Sequence, residues 1–131
     1  MMYEVSGGNK QKRDVVNKAM SYVIHLLKIP SNVYIEIDFV RSGNHTVMNI
    51  GGSRYLIEIN TTVSLAEIAY TVFHEMKHIE QLASGRLRHQ GFITFWEGKD
   101  MPLIEYHQRP WEIEAYNFEK SADLMLTSIA A

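Results

Sequence analysis

The chain has 131 residues, 46% of them apolar and 21% charged, enough to bury a core without disulfide staples, so one domain spanning residues 1–131 is expected. Its formal charge of −2, with Lys and Arg scattered along the sequence, speaks against a nucleic-acid surface, and no direct nucleic-acid partner is expected. No apolar run approaches membrane-spanning length, Met1-Met2-Tyr3-Glu4 is unlike a signal peptide, and the lack of cysteine suits a reducing compartment, so a cytoplasmic protein without a membrane partner is expected.

In chain order, Ser6-Gly7-Gly8-Asn9 reads as a flexible lead-in. Val15, Val16, Ala19, Met20, Val23, Ile24 and Leu27 then mark a first amphipathic helix that ends before Pro30. Val33 to Val40 alternates in the manner of a strand. Gly43-Asn44 turns the chain into a shorter strand at Thr46–Ile50, and Gly51-Gly52 into a third at Arg54–Asn60. The fold class is therefore α+β: an N-terminal helix, a small three-stranded and mostly antiparallel sheet, then two further helices.

The first of those helices is the most informative. Ser64 is a good N-cap, and Glu67 completes a capping box three residues later. Leu65, Ile68, Ala69, Val72, Met76, Ile79 and Ala83 form an apolar stripe, and Gly85 is a plausible stop. Within it, His74-Glu75-Met76-Lys77-His78 spells H-E-x-x-H. At about 100° per residue both histidines share the face opposite Met76, together with Glu67, Thr71 and Gln81. Two imidazoles one turn apart can share a zinc ion, with Glu75 placed to accept a proton from activated water. The alternative is a solvated face carrying two unrelated histidines.

Residues 86–109 are the least regular. Phe92-Ile93-Thr94-Phe95-Trp96 is a strand or an aromatic packing segment, and Gly98-Lys99-Asp100 reads as a turn. This connection is expected to border a substrate cleft, with His89, Tyr106 and His107 as its notable polar residues. His25 and His45 read as structural or solvated. Pro110 then opens a last helix, whose stripe Trp111, Ala115, Phe118, Ala122, Met125 and Ile129 is flanked by the line Glu112, Tyr116, Glu119 and Asp123. Glu114 falls on another side. With no cysteine, a zinc site here must use histidine and carboxylate, the donor set of open catalytic sites.

The segment Glu112-Ile113-Glu114-Ala115-Tyr116-Asn117-Phe118 resembles the E-x-x-A-x-x-F signature of small zincins, above all the ImmA/IrrE-type metallopeptidases. SprT-like proteins and phage-type metallopeptidases share the order helix, short sheet, H-E-x-x-H helix, glutamate helix, and Arg109-Pro110-Trp111-Glu112-Ile113-Glu114-Ala115 is similar to the phage-type group. The resemblance covers positions 64–84 and 110–126. Three features depart from it: Lys77 stands where a small or neutral residue is usual, Tyr116 where Asp or Asn is common, and the helix is expected to continue through Leu124-Met125-Leu126 without the proline common after that run. It implies a minimal zincin-like domain that cleaves a peptide or protein substrate, in the host cytoplasm if phage-encoded. It also implies zinc held by His74, His78 and Glu112, with Glu75 as general base. Glu119 and Asp123 are expected to orient the imidazoles, and Tyr106 or His107 to stabilise an oxyanion. A second register, Glu119-x-x-Ala122-Asp123, would put Glu119 on the metal instead. A non-enzymatic zincin-fold module serving a phage or stress-response programme is the competing function, and the oligomeric state stays open.

Overall fold

Met2–Ser6 is a strand, β1, in which half-buried Tyr3 and Val5 alternate with exposed Met2, Glu4 and Ser6. Gly7 and Gly8 both take positive φ and carry the chain past Phe39, and Asn9 caps the next helix by accepting from the Lys12 amide at 2.9 Å. That helix, α1, spans Lys10–Leu26. This corrects the reading of Ser6–Asn9 as a lead-in: it is the joint between a strand and a helix. The computed structural model describes residues 1–130, with side chains through residue 128.

Three strands follow: β2 (Tyr34–Val40), β3 (Thr46–Gly51) and β4 (Arg54–Asn60). With β1 they form a four-stranded sheet in the order β1-β2-β4-β3. β1 and β4 both run parallel to β2, and only β3 is antiparallel, to β4. The expected three-stranded, mostly antiparallel sheet is therefore corrected on both counts. Gly51-Gly52 does close a β3–β4 hairpin, but the segment around Gly43-Asn44 sends the chain to the far edge of β4 instead of back along β2. The pairing that decides this is between residues about twenty apart, which no turn signal encodes.

Ile35 and Ile37 on β2 and Ile57 and Ile59 on β4 are fully buried, while Glu36, Asp38 and Glu58 alternate to the other side. Helix α2 (Leu65–Ala83) and α1 cover the apolar side. The resulting core includes Val16, Met20, Val23, Ile68, Val72, Phe73, Met76 and Ile79. At roughly 1.5–3 kcal/mol for each fully buried aliphatic side chain, this is the main force holding α2 on the sheet. The Ser64 hydroxyl accepts from the Glu67 amide at 3.2 Å, fixing where α2 begins.

A second, antiparallel sheet joins β5 (Leu87–Gln90), β6 (Ile93–Trp96) and β7 (Lys99–Met101). Its β6–β7 turn is Glu97-Gly98, both at positive φ, so Lys99 and Asp100 belong to a strand and not to the expected turn. A 3₁₀ turn at Tyr106–Gln108 leads into α3 (Pro110–Glu119), and α4 (Ala122–Ala130) follows. The single last helix expected from the stripe is thus two. At the break, the Ser121 amide bonds Phe118 and the Asp123 amide bonds Lys120, both three residues back. This tighter turn re-aims the stripe, so that Trp111 and Ala115 serve α2 while Ala122 and Met125 join the main core. The Ile129 side chain lies outside those described. Among the described residues, no helix is long and apolar enough to cross a membrane.

Candidate metal centre

The polar face of α2 is covered from Thr71 to Gln81, while Glu67 near its start stays exposed. His74, Glu75 and His78 are 6–8% exposed and Gln81 is sealed, because α3 packs over them. Pro110 at the start of α3 sets the helix, and Glu112 lies in its first turn, where the backbone dipole favours a carboxylate. Ala115, one turn on, is fully buried and small enough to let the two helices approach. Glu112 Oε1 comes 3.1 Å from Nε2 of His74 and 3.1 Å from Nε2 of His78, and the two Nε2 atoms are 3.2 Å apart. The structure thus brings together His74, His78 and Glu112, a buried group that can hold a metal ion.

The outer ring atoms decide what the inner ones present. His74 Nδ1 lies 2.9 Å from Glu119 Oε1, an acceptor only, so that nitrogen carries the proton. His78 Nδ1 lies 2.8 Å from Gln81 Oε1. The Gln81 amide is itself oriented, because its Nε2 donates to the Trp111 carbonyl at 3.0 Å and to Glu114 Oε1 at 3.1 Å. Its oxygen must therefore face His78, and His78 Nδ1 is a donor too. With both Nδ1 atoms protonated, neutral imidazoles leave two Nε2 lone pairs aimed at each other and at a carboxylate oxygen. Three acceptors at hydrogen-bond distance repel unless a cation sits among them, and the residues present fit a metal on that ground.

The titration tendencies agree. Burial opposes charge on His74 and His78, yet the hydrogen bond to Glu112 and the nearby carboxylates outweigh it and raise both histidines above their ordinary value. Burial likewise opposes charge on Glu112, but the hydrogen bonds it would accept from the protonated rings of His74 and His78, with the one from the Tyr106 hydroxyl, hold it far below the usual carboxylate range. The centre attracts positive charge. Glu75 is raised by burial, with the imidazoles pulling the other way. It lines a cleft of about 470 Å³ beside the centre, and among the described residues no side chain hydrogen-bonds it.

The remaining sequence candidates divide. Glu119 orients His74 and lies outside the triad, whereas Asp123 receives the Tyr70 hydroxyl and touches neither imidazole. Tyr106 donates to Glu112 Oε1 at 2.9 Å and borders the cleft. His107 is exposed and stacks edge-on against Tyr106 at 6.2 Å, with no hydrogen bond into the centre. Lys77 turns from the metal face, pairing with Glu80 at 2.7 Å above the Phe118 ring. Tyr116 packs edge-on against His74 with centroids 4.8 Å apart. His45 has a structural role, its Nδ1 accepting from the Asn60 amide.

Sequence reasoning gave no role to Gln81, Glu114 or Arg86. Glu114 is clamped by both Arg86 terminal nitrogens, at 2.8 and 2.6 Å, and so holds the Gln81 amide in place. The one available signal was spacing, since Gln81 follows His78 by three residues on the same face. Gln81→Leu is expected to weaken metal affinity by about 10- to 100-fold, and Gln81→Glu to fall short of wild type as well, because its second oxygen would face the Trp111 carbonyl and the Glu114 carboxylate. Competition titration against a chromophoric chelator measures both. Equal affinity in wild type and Gln81→Leu would remove Gln81 from the account.

No family model matches the sequence, and comparison with curated proteins and with solved structures gives no match either. The functional reading therefore rests on the residues themselves.

Proposed function

We propose that this chain is a zinc-dependent metallopeptidase of minimal zincin-like form, resembling the ImmA/IrrE-type, SprT-like and phage-type enzymes in its motifs. The observation that carries the reading is the convergence of three acceptor atoms beside a carboxylate that nothing else engages. Two imidazole nitrogens and one carboxylate oxygen, with no thiolate, form the donor set of a catalytic zinc that keeps one position open. Zinc bound there supplies Lewis-acid chemistry, making water a nucleophile near neutral pH and polarising a carbonyl.

The chain's own residues supply the rest. Glu75 faces the cleft, and its raised pKa brings it nearer the range in which a carboxylate both takes and returns a proton. It accepts the proton of the attacking water at its carboxylate and delivers it to the departing amine. Burial and the Glu112 carboxylate keep the Tyr106 phenol protonated well above its ordinary range, and turning its one O–H from Glu112 toward the cleft would give an oxyanion a donor. Glu119 and Gln81 hold the two imidazoles in the tautomer that leaves Nε2 free. The substrate class is a peptide or unfolded protein segment.

The test is hydrolysis of an unfolded protein substrate by zinc-loaded wild type and by Glu75→Gln. Cleavage by wild type that collapses in the variant supports the enzyme. Inactivity of both across a broad peptide panel would move the function to a non-enzymatic binding module.

A further inference from the structure

A second cleft, of about 380 Å³, has the metal-ligand residues His78 and Glu112 in its wall. Val47–Asn49 of edge strand β3 border it, while Gly43–His45, just ahead of that strand, border the first cleft. The triad therefore lies between the two clefts, with His74 in the wall of the first and His78 and Glu112 in that of the second. The two clefts differ in charge. The first carries the carboxylates of Glu67, Glu75 and Glu119. The second is walled mainly by apolar groups, including Met48, Leu82, Leu87 and Trp111; its one carboxylate, Glu112, is engaged by His74, His78 and Tyr106, and its permanent cation is Arg109.

Arg109 is held without being satisfied. Its Nε donates to the Ile104 carbonyl at 3.2 Å, and its guanidinium lies over the Tyr106 ring at 5.5 Å. Among the described residues it forms no ion pair, and its two terminal nitrogens have no hydrogen-bond partner, whereas Arg54 and Arg86 are both paired with carboxylates. A half-buried guanidinium fixed by one N–H and a ring face, with its fork open, has the geometry for a two-point carboxylate contact.

Resting on the peptidase reading, we infer that this cleft seats an acidic side chain of the substrate, glutamate above all, next to the bond being cut. The apolar walls receive the methylene stem and Arg109 binds the carboxylate, so Arg109 is a specificity-determining residue. Glutamate is favoured over aspartate because the longer stem gives the apolar walls something to cover.

The experiment uses zinc-loaded protein and C-terminally amidated peptides in which each position in turn is Glu, Gln or Lys. Wild type is expected to cleave the Glu peptides with kcat/KM about tenfold or more above the Gln peptides at one position beside the cut, and to disfavour Lys there. Arg109→Gln is expected to abolish the Glu/Gln ratio, Arg109→Lys to keep part of it, and Arg109→Glu to favour Lys, each at a wild-type melting temperature. In parallel, binding of the same fluorescently labelled peptides to zinc-loaded Glu75→Gln protein, and to that variant combined with Arg109→Gln, is measured by anisotropy. Cleavage without acidic preference, or a preference that survives Arg109→Gln, overturns the inference. Arg109-dependent binding of Glu peptides without any cleavage by wild type retains the acidic site and overturns the peptidase reading alone.

Discussion

Replacing Glu75 by Gln is expected to lower peptide hydrolysis by about 10²- to 10⁴-fold, the range for loss of a general acid–base group, with metal content unchanged. The variant is nearly isosteric, and Glu75 is not among the three converging residues. Because no described side chain hydrogen-bonds Glu75, the amide breaks no existing contact and the fold should hold. What the amide removes is the ability to accept a proton from water and pass it on. Single-turnover assays on an unfolded substrate, paired with metal analysis of the same preparations, check both halves. Equal, robust hydrolysis by the two proteins would place the chemistry elsewhere.

Glu112→Ala is expected to strip the metal, while Glu119→Ala should weaken affinity by only about 10- to 100-fold. Glu112 Oε1 meets both Nε2 atoms at 3.1 Å, so its loss removes one of three donors. Glu119 meets the opposite nitrogen of His74 at 2.9 Å, so its loss frees a ring that is still buried under α3 and packed against Tyr116. The two positions lie seven residues apart on the same line of one helix, on the order of 10 Å along its axis, so they cannot exchange places at the histidine pair. Affinities from chelator competition, with circular dichroism to confirm the fold, separate the two. Metal retained in Glu112→Ala and lost in Glu119→Ala would reverse the assignment.

Local periodicity made α2 legible, down to its cap at Ser64, and the same pattern put His74, His78 and Gln81 on one face. Glu112 was reached through a motif whose proline and alanine have physical roles, one starting α3 and the other letting it approach α2. What stayed hidden depends on contacts between distant segments. β1 is a five-residue strand stabilised by parallel pairing to β2 some thirty residues later, and nothing in Met2–Ser6 announces a partner. The sheet order turns on whether β3 joins β2 or the far side of β4, and either choice satisfies its alternation. The break at Lys120-Ser121 leaves the apolar spacing intact, so a periodic stripe reads through it. Gln81 was visible on the correct face, but its role depends on Arg86 and Glu114 fixing its amide from two other elements.

The central claim is that three acceptor atoms on α2 and α3 form a zinc site. Elemental analysis of the protein stripped by chelator, re-exposed to zinc and freed of excess measures it most directly, with His78→Ala treated in parallel. The account predicts one zinc per wild-type chain, none retained by His78→Ala, and a higher melting temperature for the loaded wild type, because the metal ties the two helices together only in the folded state. Full zinc occupancy in His78→Ala, or a wild-type chain that takes up none, would contradict it.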